Sequence, residues 1–408
     1  MLILFFTCEL FIAVFNPVSA VLIEGSWNTK TPMSQDRIDL GIVAVGSKIY
    51  AIGGTGIYTG LTGANECYDS VTDRWVTLSS MPTPRLGFAI VAYQGKIYCI
   101  GGSNSNGLQS VNEVYDIATD SWSSKMPLPV SEYFIQAHVV DGKIWVVTQQ
   151  TLYVYDPIND SWINKTSTPT QGLHAFSVVL DNKIIIIDQV AHDSYMQYSW
   201  LVFIATMKVM IYDPKIDVWS EGQVSPEYHS SDTDMVRPIV AGATTGDYAP
   251  KKIYVIFGGP SDYVYNPAEN AWSTITGPST SVLGYSVAVV DDLLYVFGGL
   301  HPHVETLQYV PIGHKDAVPA PEPSTTTKPS SNPTATSPAT PTPSNPPVKH
   351  TLTYIIIAIL ATTNGIIAIG YFRLRKNAKN IIGKRYVQYQ MYTCTTTCCD
   401  LKIFCNFK

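Results

Sequence analysis

KIYAIGG (residues 48–54), followed by NECYDSVTDRW (65–75) and MPTPR (81–85), is the first copy of a pattern whose parts recur along the chain. The recurrence of a short apolar run followed by turn residues is typical of β-strands in a repeat protein. The further copies of the apolar run are KIYCIGG (96–102), KIWVVTQ (143–149), KIIIIDQ (183–189), KIYVIFGG (252–259) and LLYVFGG (293–299).

An aromatic signature follows five of these six runs. A Tyr-Asp or Tyr-Asn pair comes first, and a Trp stands seven positions after the Tyr. The pairs are Tyr68-Asp69, Tyr115-Asp116, Tyr155-Asp156, Tyr212-Asp213 and Tyr265-Asn266, and the tryptophans are Trp75, Trp122, Trp162, Trp219 and Trp272. Rings of this size can fill the wedge between neighbouring sheets.

Each repeat contains four short strand-forming segments, which indicates a four-stranded blade. A single blade would expose both of its faces, so the blades must surround a common axis. The last copy ends at Gln308–Val310 without a Trp after it, whereas the chain has an unassigned Trp27 within residues 26–33. We therefore expect this N-terminal strand to complete the sixth blade.

The pattern resembles the Kelch motif at Gly53-Gly54, Tyr68-Asp69, Trp75 and Met81–Arg85. The resemblance covers about residues 24–312 and implies an all-β, six-bladed Kelch β-propeller, in the superfamily that includes galactose oxidase. Two repeats depart from the motif, since Thr148-Gln149 and Asp188-Gln189 replace the double glycine. We expect the third and fourth blades to be irregular.

The two ends of the chain indicate targeting to a membrane. Residues 1–20 read as a signal peptide that ends in small residues, and the propeller is expected at 21–315. Residues 316–348 have ten prolines and no aromatic residue, which predicts an extended stalk. Residues 351–372 carry no charge and, at about 1.5 Å each, are long enough to span a bilayer as a helix.

The charge distribution sets the orientation and excludes one class of partner. Residues 373–408, the predicted cytoplasmic tail, contain eight Lys or Arg and one acid. This charge of +7 leaves −13 for the first 372 residues of a chain whose total is −6. We therefore expect a single-pass membrane protein with its propeller outside the cell and no nucleic-acid partner.

Ligand contacts are expected in the loops between the second and third strands and between blades, as the resemblance to Kelch propellers implies. Val190–Lys208 is the longest such loop in our prediction, and its aromatic part 191–206 either binds a partner or packs over an irregular blade. The candidate ligand-binding residues in these loops are Arg37, Tyr58, Arg85, Asn104, Asn106, Tyr228, His229 and Arg237.

Enzymatic chemistry is the alternative. The copper site of galactose oxidase would need more than the His301-Pro302-His303 pair, so we expect no metal and no cofactor. A sugar mutarotase of the Kelch type needs an acid, a base and an arginine, for which only Glu132 and Glu227 supply carboxylates in the predicted loops. An intracellular adaptor is disfavoured by the hydrophobic ends.

The sequence therefore predicts a cell-surface module that binds an extracellular protein or carbohydrate. A carbohydrate-active enzyme, similar to a mutarotase or a copper oxidase, is the second hypothesis. Asn159 and Asn164 begin glycosylation sequons, which suit an extracellular location. Of the seven cysteines, Cys394, Cys398, Cys399 and Cys405 lie in the predicted tail, where acylation and zinc binding are both open.

Overall fold

The computed structural model describes residues 22–56, 58–170, 175–197, 200–231, 240–257, 261–278, 286–298 and 305–318. All of them belong to one unit that ends at Thr326. They form six antiparallel blades, each built on four strands in simple up-and-down order, and one blade has an added fifth strand. The first strands of successive blades contact each other, and the first strand of blade six contacts that of blade one. The blades therefore close into a ring around a central channel.

The blades follow one another along the chain. Blade one contains β3 (Gly41–Val45), β4 (Lys48–Ile52), β7 (Asn65–Asp69) and β8 (Arg74–Leu78). Blade two contains β9 (Ala89–Tyr93), β10 (Lys96–Ile100), β13 (Asn112–Asp116) and β14 (Ser121–Lys125). Blade three contains β15 (Gln136–Val140), β16 (Lys143–Val147), β17 (Thr151–Asp156) and β18 (Ser161–Ser167).

The second half of the ring is less regular. Blade four contains β19 (Ala175–Leu180), β20 (Lys183–Gln197), β21 (Trp200–Asp213), β22 (Val218–Glu221) and the added β23 (Tyr228–Ser231). Blade five contains β24 (Val240–Ala243), β25 (Ile253–Ile256), β26 (Ser261–Asn266) and β27 (Ala271–Thr276). Blade six contains β28 (Ser286–Val290), β29 (Leu293–Gly298) and β30 (Glu305–Tyr309), with β2 (Trp27–Lys30) as its outer strand.

The N-terminal strand completes blade six, as the sequence predicts. β2 pairs antiparallel with β30, with Trp27 opposite Tyr309 and Lys30 opposite Thr306. The outer strand of this blade thus comes from the other end of the propeller, and the sheet hydrogen bonds join the first and last parts of the ring.

Short strands occur in two connections and at the two described ends of the propeller. Two-residue hairpins, β5 (Thr55–Gly56) with β6 (Gly60–Leu61) and β11 (Ser103–Asn104) with β12 (Gly107–Leu108), lie between the second and third strands of blades one and two. β1 (Leu22–Ile23) pairs in parallel with β31 (Ala317–Val318), which brings the two described ends of the propeller together.

A repeated clamp explains the Tyr-Asp-Trp signature. In blade three, Tyr155 donates its hydroxyl hydrogen to Asp160 Oδ1 at 2.6 Å, and its ring packs against Trp162 at 4.9 Å. Asp160 Oδ1 accepts the backbone N–H of Met126 at 2.8 Å, and Trp162 Nε1 donates to Met126 O at 2.9 Å. One residue of blade two is therefore held by blade three on both sides. The same arrangement holds Thr31, Ser79 and Gln223.

The segment expected as the long loop Val190–Lys208 is largely strand, which corrects that prediction. β20 and β21 continue past the blade as a β-ribbon, and Tyr228–Ser231 adds a third strand through Val202–Ala205. Strand pairing satisfies the backbone that a loop of this length would leave in water. The exposed side chains of Ala191–Tyr195 belong to this ribbon.

Several predicted segments lie outside the described residues: the signal peptide at 1–20, the transmembrane helix at 351–372 and the tail at 373–408. Of the predicted stalk, the structure describes only Asp316–Val318. Within the part of the chain that the structure describes, no helix has the length and apolar character needed to cross a membrane.

Candidate ligand site at the channel mouth

A cavity of about 360 Å³ lies on the axis of the ring. Residues from the first strands of all six blades line it, together with residues of the loops that precede these strands, such as Asp39 and Thr170. Thr148 and Gln149, which follow the second strand of blade three, complete the lining. Because these loops all lie where the first strands begin, the cavity occupies that end of the channel, which we call the mouth.

Three equivalent residues form part of the rim of the mouth. Gly87 N donates to Asp39 O at 2.9 Å, and Phe134 N donates to Gly87 O at 2.7 Å, so the loops of three blades are joined. All three residues are left-handed, with φ of 54° at Asp39, 61° at Gly87 and 53° at Phe134. This conformation is unfavourable for a bulky residue, and such strain concentrates at functional sites. Phe134 places an aromatic ring where blade two has a glycine.

A polar wall, formed by Gln136, His138 and Ser177, lines the cavity next to Phe134. Gln136 Nε2 donates to Phe134 O at 3.2 Å, and the Ser177 hydroxyl lies 3.4 Å from Gln136 Oε1. His138 Nε2 lies 2.7 Å from Ser177 Oγ, with donor and acceptor set by the imidazole tautomer. The first strands of blades three and four thus present a connected set of hydrogen-bonding groups to the axis.

Burial keeps the imidazole neutral. Desolvation lowers the pKa of His138 to about 4, from an ordinary value of 6.5, because the surrounding protein disfavours the charged form. At neutral pH His138 therefore offers one nitrogen as a donor and one as an acceptor. The wall carries no net charge at that pH.

The opposite side of the cavity is apolar. Ile42, Ile90, Val287 and Val289 line it, from the first strands of blades one, two and six. The site therefore combines an aromatic rim, a polar wall and an aliphatic wall, which is the usual composition of a pocket for a small organic group.

The irregular third blade shapes this site. The Thr148 hydroxyl donates to Thr151 O at 2.8 Å and accepts from Thr151 N at 3.0 Å, which closes a tight turn without the double glycine. The adjoining Gln149 N donates to Glu132 Oε1 at 3.1 Å. Both Thr148 and Gln149 face the cavity, so the departure from the repeat adds polar groups to the mouth.

The structure places Arg37 and Arg85 inside the blades, away from the cavity lining. Both side chains are 0 % exposed. Arg37 Nη2 contacts Glu66 Oε2 at 2.6 Å, and Arg85 Nη1 pairs with Glu113. Further contacts with backbone carbonyls, such as Arg37 Nη1 to Gly53 O at 2.8 Å, hold the ends of the second strands. The contacts of each arginine hold the loop that enters a blade against the second and third strands of that blade.

Of the remaining six predicted ligand residues, five lie apart from the lining of the cavity, and the sixth, Arg237, is outside the described residues. Tyr58 is exposed, and Asn104 accepts the backbone N–H of Asn106 at 2.9 Å within its own turn. Tyr228 is buried against Phe257. His229 Nδ1 lies 3.0 Å from the Tyr195 hydroxyl on the ribbon.

The polar wall was not predicted from the sequence, because ligand residues were expected in the loops. His138 and Ser177 stand inside first strands, where the equivalent residues of blade one are Val43 and Ile42. A polar residue at a position that is aliphatic in the regular repeat was the available signal. Strand position alone does not show that such a side chain faces the axis.

The structure adds little in favour of metal chemistry. Among the described residues, no three His, Cys, Asp or Glu side chains are grouped as metal ligands would be. Cys67 and Cys99 are free thiols, and burial raises the pKa of Cys99 to about 12. Asn159 and Asn164 are exposed on blade three, where a glycosylating enzyme could reach them. Glycosylation of both sequons stays a prediction.

Comparison with known proteins agrees with the fold. The model of the FKB95 Kelch-repeats domain family matches residues 21–191. A solved structure titled "Structure of YjhT" has a TM-score of 0.50 at 14% identity and covers 68% of this chain and 95% of that chain. A search of curated proteins found no match. With its repeated clamps and closed ring of six blades, the described part of the chain is a six-bladed β-propeller, and residues 21–191 match the Kelch-repeat family model.

Proposed function

We propose that this propeller binds an extracellular glycan or protein ligand at the mouth of its channel, while residues 351–372 hold the chain in a membrane. The observation that carries the proposal is the cavity of about 360 Å³, with the polar wall of Gln136, His138 and Ser177 on one side. Ligand pockets in proteins begin at about 300 Å³ and use a few placed polar groups for orientation.

The positions of the described ends support this arrangement. Lys315 N donates to Tyr248 O at 2.8 Å, and His314 Nε2 lies 2.9 Å from Asp291 O. Tyr248 and Asp291 belong to connections between first and second strands, at the end of the blades opposite the mouth. The chain thus leaves the described propeller at Val318 on the face away from the cavity. The described ends of the propeller therefore do not cover the mouth.

The test is a binding measurement on the full-length chain. The chain, purified in detergent, is applied to arrays of glycans and of extracellular proteins, and the strongest ligand is titrated. Ser177→Ala removes a hydroxyl from the cavity, whereas Ser121→Ala removes an exposed hydroxyl from an outer strand. We expect the first variant to weaken binding roughly tenfold and the second to leave it unchanged.

Two outcomes would contradict the proposal. Saturable binding that both serine variants retain in full would place the ligand elsewhere on the protein. Catalytic conversion of a sugar, abolished by Ser177→Ala, would favour the enzyme hypothesis over a binding module.

A further inference from the structure

The side chains that line the cavity indicate which class of ligand binds there. This inference rests on the proposed binding function. All the hydrogen-bonding side chains of the polar wall are neutral groups: an amide at Gln136, a hydroxyl at Ser177 and an imidazole at His138. An amide and an imidazole each provide both a donor and an acceptor, and a hydroxyl can act as either. Such a set matches sugar hydroxyls, which also act as both.

The charges around the cavity disfavour an anionic ligand. The described lining contains the carboxylate of Asp39 and neither Lys nor Arg. The two described arginines of the neighbouring loops, Arg37 and Arg85, are buried in ion pairs with Glu66 and Glu113. The first 372 residues carry a charge of −13, which repels anions over longer distances. A carboxylate or sulfate at this site would lack a described cation to neutralise it.

The aromatic ring of Phe134 gives the rim an apolar surface that suits a sugar. Phe134 holds its aromatic ring at the cavity despite a φ of 53°, where a glycine would relieve the strain. The backbone N–H and C=O of Phe134 bond to Gly87 and Gln136, and its ring packs against that of Tyr133 at 4.6 Å, so Phe134 is held beside the polar wall. A flat aromatic ring next to hydrogen-bonding groups accommodates a sugar, whose C–H face is apolar and whose edge carries hydroxyls.

The geometry points to a subsite for the terminal residue of an uncharged glycan, held between the ring of Phe134 and the polar wall of Gln136, His138 and Ser177. The cavity of about 360 Å³ is large enough for one sugar ring at the end of a glycan. The rest of the glycan would extend out of the mouth.

The experiment compares neutral and anionic glycans with one aromatic variant. Full-length chain in detergent is titrated with glycans that end in galactose, mannose or N-acetylglucosamine, and with matched glycans capped by sialic acid or sulfate. Phe134→Gly removes the ring and suits the left-handed backbone, so the variant should fold at least as well as the parent chain. Tyr58→Ala, an exposed aromatic outside the cavity, is the control.

We expect at least one neutral terminus to bind, its capped form to bind at least tenfold more weakly, and Phe134→Gly to lose about tenfold in affinity while Tyr58→Ala loses none. Preference for the anionic glycans would overturn this inference and leave the binding function standing. A protein ligand whose affinity falls in Ser177→Ala, with no glycan bound, would do the same. Failure to bind any glycan or protein at the mouth would overturn both.

Discussion

Trp27 and Tyr309 lie opposite each other in the sheet of blade six, with ring centroids 5.0 Å apart, although they come from the two ends of the propeller. Trp27 Nε1 also donates to Thr276 O of blade five at 2.9 Å. The N-terminal strand therefore closes its own blade and fastens it to the preceding one.

Loss of this strand should open the ring. Deletion of residues 21–34 should lower the thermal midpoint by many degrees, and Trp27→Ala alone should cost about 3 kcal/mol of unfolding free energy. Ile158→Ala, at a side chain 78% exposed, is the control and should change it by less than about 0.5 kcal/mol. An unchanged midpoint in the deletion variant would contradict closure by this strand.

The clamp between blades three and four differs from the others. Trp162 Nε1 donates to Met126 O, whereas the buried Nε1 of Trp219 has no acceptor among the described residues. Both Trp→Phe changes remove the same part of an indole ring. We expect Trp162→Phe to lower the unfolding free energy by about 1 kcal/mol more than Trp219→Phe, measured by urea unfolding. An equal cost at both positions would mean that Trp219 has a partner in solution.

The buried Arg85–Glu113 pair gives a further test of which arginines serve the fold. Arg85→Met leaves the Glu113 carboxylate buried without its partner and should cost about 3–5 kcal/mol. Arg85→Met combined with Glu113→Leu removes both charges and should recover part of that loss. A double-mutant cycle in urea measures the coupling. If Arg85→Met costs less than about 1 kcal/mol, the guanidinium is not held in the pair that the structure shows.

Stability should fall in two steps on acidification. The lowered pKa of His138, about 4 in the folded chain, means that the unfolded chain takes up a proton first as pH falls below 6.5. The hydrogen bonds from Lys48 and Lys143 hold the pKa values of Asp69 and Asp156 at about 2, so their contribution is lost between about pH 4 and 2. Thermal midpoints from pH 8 to pH 2 measure both steps.

The variant His138→Gln separates these two steps. It has no titrating group at this position, so the loss of stability between pH 6.5 and 4 should shrink while the loss below pH 4 remains. If His138→Gln shows the same profile as the parent chain over the whole range, the imidazole is not buried as the structure shows.

The regular part of the fold is readable from the sequence because it repeats. Six apolar runs, five Tyr-Trp pairs and an unassigned Trp27 give six blades and the closing strand, and the structure confirms both. The burial of Arg85 is not readable, because Glu113 lies 28 residues away and only the packing of the blade brings the two together.

The candidate site lies where the repeat is broken. The motif gives no partner for His138 or Ser177, which become neighbours across two blades only when the ring closes. The left-handed backbone conformation of Phe134 likewise cannot be predicted from its residue type. The ribbon of β20 and β21 replaces a predicted loop because strand pairing, which depends on a distant third strand, overrides weak local preferences.

The most direct test of the closed ring is an engineered cysteine pair across the closing strands. Lys30 and Thr306 are opposite partners in the register of β2 and β30, so Lys30→Cys with Thr306→Cys should form a disulfide in the folded chain. Lys30→Cys with Gln308→Cys, two residues out of register, should form little. Peptide mass spectrometry of the unreduced, full-length protein measures the yield of the disulfide in both variants. A disulfide in the first pair alone is the predicted result, whereas its absence in a folded chain, or equal yields in both pairs, would contradict the six-bladed closure.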